Sequence, residues 1–531
     1  MDYQAFLEFL RERERRAMPD LIIFGKGILL VLSILFCLAI LLMTYRGFVY
    51  GQVKEALASL VSLIVGAIMV RAIYVKSRVL QIGELAITNT VISEGANGTA
   101  VFEGTYEYVH DGAYAYVLEG TPQRVAVKRL DKRVHNDSGV YKKIKNLRRA
   151  NGHPNIAQLF GVKNDPDYLY VCLEHCICNI GDLVRMFSPH NLGDANDNAR
   201  MDEARNSLQG IQLWEQANNG DHRRPSPTLL RLMMEMAVGL DYLCQSKRMV
   251  HRNLKPENIL ISNEPSLRIK LSDMGLSNKR LPAGHRVGLG PGWQPKEVIL
   301  GNKRLTRAVD SFGLGCVYFF CITAGRHPFG GDDLERRQNI ENGNQANLML
   351  LANLPEANEL ISRMLSHIPK RRPTAEEVLI HPLFWDEDTR LSFLCDTSDK
   401  LTARDLNGQL LNPQLIIAVN GTSGTVLPPD TFPDGEWIHA LNPQLQPWGN
   451  GYTLNSVKEL VRLIRNKYVH YSEHRDNIKL ILGSLEVNPT AYYNYFGTRF
   501  PNLLIQVYKV MKQHCRHEEV FARYFRSVRN I

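Results

Sequence analysis

A few side chains near the C-terminus have the types and spacing to cut an RNA backbone. Arg462, Asn466 and His470 recur every fourth residue, so on a helix they share one face. Tyr452 stands just ahead of them. Metal-free RNA cleavage needs a base for the 2′-hydroxyl, an acid for the leaving 5′-oxygen, and cationic or amide donors for the phosphate. An imidazole titrates near neutral pH and suits proton transfer. An ordinary half-buried histidine on a wet helix face accounts for the same pattern. The helix itself is well signalled. Ser456 followed by Glu459 reads as a capping box, and Val457, Leu460, Val461, Ile464 and Tyr468 form an apolar stripe. From Gly451 to Ile531 there are 13 Lys or Arg against 6 Asp or Glu. That surplus fits a solvated surface or attraction to a polyanion such as RNA.

A second group of motifs concerns phosphoryl transfer. His251-Arg252-Asn253-Leu254-Lys255-Pro256-Glu257-Asn258 resembles the catalytic loop of protein kinases, with asparagine at the aspartate position. That aspartate accepts the substrate hydroxyl proton, and an amide has no basic lone pair to replace it. Ser93 to Val101 resembles the glycine-rich loop over ATP phosphates, through Gly95 and Gly98. Val125-Ala126-Val127-Lys128 matches the strand whose lysine pairs with phosphates. Leu173-Glu174-His175-Cys176 matches the hinge beside the adenine, with Glu174 and Cys176 as its binding positions. Asp273-Met274-Gly275 stands for D-F-G, and Trp293 to Glu297 for the A-P-E segment. Asp310 and Arg372 take the places of the later structural aspartate and arginine. The resemblance implies a bilobal kinase fold that binds ATP or ADP, with Asn258 and Asp273 holding Mg²⁺.

Two further departures argue against kinase chemistry. The segment between Asp137 and Asp165 contains no Asp or Glu. Lys143 stands where helix C should offer a glutamate to Lys128. Between Asp273 and Glu297 the only hydroxyl side chain is Ser277, so ordering by phosphorylation has little to act on. Losing the base alone costs roughly 10²–10⁴-fold in rate.

A chain of 531 residues, 44% hydrophobic and 22% charged, is expected to fold as two or three domains. Nine scattered cysteines show no zinc spacing and imply a reduced, cytosolic setting for most of the chain. Gly27 to Tyr45 is a run of 19 uncharged residues, enough to span a bilayer. Ala56 to Val70, 15 residues, is marginal. Basic residues before the first run and after the second favour a hairpin with both ends in the cytosol. One span is the alternative. Ser188 to Pro225 is polar and reads as a mobile surface insertion, with Ile211, Leu213 and Trp214 able to dock locally.

The kinase-like region and its extension together resemble the inositol-requiring transmembrane kinase/endoribonucleases of the unfolded-protein response, with ribonuclease L as a more distant relative. The resemblance runs from about Ile82 to Phe525. It includes Met249-Val250-His251, His381 to Trp385, Asp396-Thr397-Ser398-Asp399, Arg465-Asn466-Lys467, Leu482 to Leu485 and Thr498 to Pro501. It implies that Tyr452 is the general base, His470 the general acid, and Arg465 with Asn466 the phosphate holders. It also implies a nuclease that needs no cofactor, acts as a dimer favoured by nucleotide, and leaves 2′,3′-cyclic phosphate and 5′-hydroxyl ends.

The expected layout is mainly α with α+β. It has a basic cytosolic segment 1–26, one or two transmembrane helices in 27–75, a kinase-like domain 82–386 with the insertion 188–225, and an all-α nuclease extension 387–531. Only Met1 to Lys26 precedes the first apolar run, so the family's lumenal sensor is expected to be missing. The expected protein is an endoribonuclease in the endoplasmic reticulum membrane, its catalytic domains in the cytosol. Its partner would be a second copy or a full-length paralogue. Two other readings stand beside it: a working serine/threonine kinase, motivated by the retained Lys128, Asn258 and Asp273, and a non-enzymatic scaffold that dampens such a paralogue.

Overall fold

The structure, a computed structural model, describes residue 45 and residues 79–94, 99–107, 122–135, 138–188, 199–216, 223–263, 265–273, 292–301, 306–483 and 491–526. The side chains at 142 and 143 lie outside the described residues, as does the expected membrane segment 27–75 apart from Tyr45. Among the described residues no helix is long and apolar enough to cross a membrane. The chain divides into two compact units, one of residues 1–133 with 161–172, the other of 134–160 with 173–531.

The first unit is organised by a sheet with strand order β1-β2-β3-β4-β6-β5. Its strands are β1 (Leu80–Ile82), β2 (Leu85–Glu94), β3 (Ala100–Tyr106), β4 (Gln123–Asp131), β5 (Leu159–Asn164) and β6 (Tyr168–Glu174). β3 and β4 pair antiparallel with Val101 opposite Lys128. β4 is rich in β-branched residues, and Val125 and Val127 are fully buried. The guanidinium of Arg129 lies 4.7 Å from both the Phe102 and Tyr168 rings, a cation–π clamp across the sheet.

The second unit begins with helix α1 (Ser138–Ala150), which has no acidic residue. Helices α2 (Pro227–Asp241) and α3 (Ala308–Ile322) form its centre, and α3 is buried along nearly its whole length. The insertion is not the loose loop expected. Its described parts form the helix Ala199–Ser207 and a hairpin of Trp214–Gln216 with Arg223–Pro225. Trp214 is buried and its indole N–H donates to the carbonyls of Cys321 and Ile322, at 3.1 and 3.2 Å. Ala204, Leu208 and Leu213 are buried with it. Apolar side chains set within a polar stretch are what anchor it.

The same unit continues into an all-helical extension. Helices α4 (Glu387–Thr402), α5 (Val457–Val469) and α6 (Leu503–Cys515) share a core with Trp437, Tyr492, Phe496 and Phe521. The preceding region is tied to it by polar contacts. The buried His381 ring lies 2.9 Å from Glu359 and packs edge-on against Tyr508, and Arg390 reaches Glu356 at 3.4 Å. All eight described cysteines are free.

Candidate functional site

Helix α5 positions the extension's polar cluster. The Ser456 side chain accepts the Glu459 N–H at 3.2 Å and caps the helix. The returning half of the expected capping box is absent. Lys458 and Arg462 each hold the Glu459 carboxylate at 2.8 Å, and these charge-assisted bonds outcompete a neutral amide. Val457, Leu460, Val461 and Ile464 are buried as expected, together with Leu463. Tyr468, expected in the stripe, is exposed and lies against Tyr492. It sits in the last turn, at the edge of the core.

Three of the expected site residues form one network. Asn466 Nδ2 donates to Tyr452 Oη at 3.1 Å. Arg465 Nη1 donates to Asn466 Oδ1 at 3.4 Å. Arg465 Nε faces Asp399 Oδ1 of α4 at 2.9 Å. The Tyr452 ring is set by Arg462, 5.0 Å above it, and by the edge of the buried Trp437. The expected shared face is therefore used by Arg462 and Asn466, which meet Tyr452 at its ring and at its hydroxyl.

His470 lies one residue beyond the helix, where its N–H caps the Asn466 carbonyl. Its side chain is 56% exposed, and Nδ1 lies 2.8 Å from Glu473 Oε1. This is not the half-buried histidine of the alternative reading. It is an imidazole open to solvent and oriented by a carboxylate. Asp399 and Glu473 were not singled out as site residues from sequence. Asp399 lay in a matched run with no role attached, and Glu473 follows His470 at one-turn spacing.

The kinase-like motifs of the second unit assemble around the catalytic loop. The His251 and Arg252 amides donate to Asp310, at 2.6 and 2.7 Å. Arg252 and Asp273 both adopt positive φ, 67° and 59°, a strained conformation for such residues. Asn253 is buried. Its N–H donates to His251 Nδ1 at 3.3 Å, and its carbonyl accepts from Asn258 Nδ2 at 2.7 Å. Arg372 grips Glu297 through two bonds of 2.5 and 3.1 Å. Glu174 pairs with Lys270 at 2.7 Å. Cys176 is buried, and burial pushes its thiol well up.

In the first unit Lys128 lies buried on β4. Gly95, Gly98, Met274, Gly275 and Ser277 lie outside the described residues. Among the described residues no group of three or more His, Cys, Asp or Glu side chains could hold a metal by itself. The Asn258 amide oxygen and the Asp273 carboxylate are hard oxygen donors of the kind Mg²⁺ takes alongside phosphate oxygens.

Residues 105–384 match the family model described as protein kinase domain, and residues 390–525 the one described as ribonuclease 2-5A. The chain is 39% identical over 467 residues to the serine/threonine-protein kinase/endoribonuclease IRE1a of Arabidopsis thaliana, covering 84% of this chain and 51% of that protein. It is 40% identical over 452 residues to IRE1 of Oryza sativa subsp. japonica, covering 84% and 45%. It is 31% identical over 469 residues to an Arabidopsis thaliana protein named inactive serine/threonine-protein kinase/endoribonuclease IRE1-like, covering 83% and 78%. The chain thus spans about half the length of the first two.

Proposed function

Because the chain belongs to the IRE1 family of protein kinase/endoribonucleases, we propose that its extension cleaves RNA and that its kinase-like region governs that activity. The observation that carries this reading is the Tyr452–Asn466–Arg465 network beside the open, carboxylate-oriented His470. In the proposed reaction Tyr452 takes the proton of the 2′-hydroxyl. The 2′-oxygen attacks phosphorus, and Arg465 and Asn466 hold the charged phosphate. His470 gives a proton to the leaving 5′-oxygen, so the products carry 2′,3′-cyclic phosphate and 5′-hydroxyl ends. The chemistry needs no metal.

The kinase-like region then acts as a nucleotide-responsive platform. Lys128 pairs with phosphates, the hinge at Glu174 and Cys176 receives the adenine, and Asn258 and Asp273 hold Mg²⁺, which when bound neutralises phosphate charge. Asn253 in place of the base and an acid-free α1 support the loss of phosphotransfer. Nucleotide favours a dimer, and the apolar segment 27–75 anchors the chain in the endoplasmic reticulum membrane.

Incubation of the purified chain with a stem-loop RNA in excess EDTA tests this reading. Cleavage that leaves cyclic phosphate ends supports it. Cleavage that stops on chelation even at a protein concentration where added nucleotide no longer changes the rate, or 5′-phosphate ends, contradicts it. The scaffold reading is favoured by the word inactive in the name of the third relative, and it predicts no cleavage at any protein concentration.

A further inference from the structure

Beyond the four cleavage residues lies a groove that they do not use. It has a volume of about 440 Å³ and is lined by Gln444, Trp448, Glu473, His474, Arg475 and Asn477 together with Ile478. Small-molecule sites span roughly 300–1,000 Å³. The groove adjoins the cleavage residues at two points. Glu473, on its wall, holds His470 at 2.8 Å. Trp448 belongs to the turn Pro443–Gly449, and the Gly449 carbonyl that ends it accepts the Tyr452 N–H at 3.1 Å.

The wall chemistry is specific. Trp448 is half-buried, with its ring centroid 5.0 Å from that of His474 at an interplanar angle of 31°. The Lys467 ammonium lies 4.7 Å from the same indole. His474 is held in place by the Lys467 carbonyl, 3.0 Å from Nε2. A carbonyl only accepts, so Nε2 carries the hydrogen and Nδ1 of the neutral ring is an acceptor. Burial lowers the pKa of His474 and keeps it neutral near pH 7. At the rim the Asn477 amide donates to Gln444 Oε1 at 3.1 Å, and Arg475 is exposed.

We propose that this groove is a nucleobase subsite: the base of a nucleotide next to the cleaved phosphodiester stacks on the Trp448–His474 pair, the Gln444 and Asn477 amides meet its polar edge, and Lys467 and Arg475 attract the adjoining phosphates. An aromatic pair with flanking cations and amides is what single-stranded RNA recognition uses. A partner peptide would find only Ile478 as an aliphatic anchor here. The assignment rests on the proposed ribonuclease activity, because it takes the cleaved linkage as its reference point.

The test uses the full chain in detergent. A stem-loop RNA is first cut by the parent to map the cleaved linkage. The same RNA is then made uncleavable with a 2′-O-methyl group at that nucleoside, and its affinity is measured with the base removed at each flanking position in turn. One abasic position should weaken binding to the parent by about 5- to 150-fold, the range for loss of a stacked base. Trp448→Ala should bind normal and abasic RNA alike, and Trp448→Phe should restore part of the difference. The abasic series leaves the protein unaltered, so it stands even where Trp448→Ala fails to fold. If the parent cleaves the RNA but no flanking base matters, or Trp448→Ala still discriminates, the subsite assignment falls alone. If the parent cuts no RNA, the ribonuclease reading fails and takes the subsite with it.

Discussion

Asp399 on α4 holds Arg465 on α5, with Oδ1 2.9 Å from Nε. One edge of the guanidinium is thereby committed, while Nη1 reaches Asn466. The pair links two helices that pack against each other, so the orientation of Arg465 depends on their register. Asp399→Ala should lower kcat for RNA cleavage by roughly ten- to 100-fold, the scale on which misplaced groups cost rate. Asp399 is exposed, so stability should change by about 1 kcal/mol or less. An unchanged kcat would remove Asp399 from the site.

Asn466 and Arg462 both orient Tyr452. Replacing Tyr452 by Phe deletes the hydroxyl and keeps the ring contacts with Arg462 and Trp437. Cleavage should fall by about 10²–10⁴-fold while the thermal midpoint stays within a few degrees of the parent. A parent-like rate in Tyr452→Phe would exclude the phenol as a base.

The Arg372–Glu297 bridge joins the short helix Lys296–Ile299, ahead of α3, to the end of the turn Pro369–Arg371. The Arg372 side chain is 1% exposed and also donates to the carbonyls of Ser366 and Ala308. Arg372→Ala leaves the half-buried Glu297 carboxylate without its cation and should cost about 3–5 kcal/mol. Urea unfolding checks this, and a loss under 1 kcal/mol would contradict it.

Three buried histidines set the response to acid. Burial lowers His251 to about 4 and His327 to about 3, and it also lowers His381. His251 and His327 stay neutral in the fold down to about pH 4, whereas in the unfolded chain each protonates below about pH 6.5. The unfolded state then binds more protons, so stability is fully present above pH 6.5 and declines as pH falls toward 4. Burial raises Asp310 to about 6 against its two amide donors, which acts in the opposite sense. The two protons gained by unfolded His251 and His327 outweigh the one that the folded Asp310 keeps, and His381 acts in the same sense as the other histidines. Denaturant midpoints should therefore fall between pH 7 and 5, and a flat or rising midpoint would refute the assignment.

Asn253→Asp alone should not restore phosphotransfer, because α1 still offers no carboxylate. Radiolabel transfer from ATP should stay at the background of Lys128→Ala. Transfer well above that background would revive the kinase reading.

Motifs with fixed local chemistry were readable from sequence. The catalytic loop meets Asp310 through two backbone amides, and Arg372 meets Glu297 through its guanidinium, each pairing fixing one local geometry. The start of α5 was readable from Ser456, and its buried face from hydrophobic spacing. What escaped were contacts between residues far apart in the chain. Nothing in the spacing joins Asp399 to Arg465, and nothing in a polar insertion says that Trp214 will find two helix-end carbonyls. His470 keeps the four-residue bond to the Asn466 carbonyl that its spacing implies, although the last helical residue is Val469. Its ring, which regular spacing placed on the face of Asn466, turns to Glu473.

The central claim is that chemistry has moved from the kinase-like loop to the cluster around His470. Its most direct measurement is cleavage of a stem-loop RNA by the purified chain at high concentration, parent against His470→Ala. The parent should cut, and His470→Ala should be slower by about 10²–10⁴-fold. Equal rates for the two proteins would contradict it.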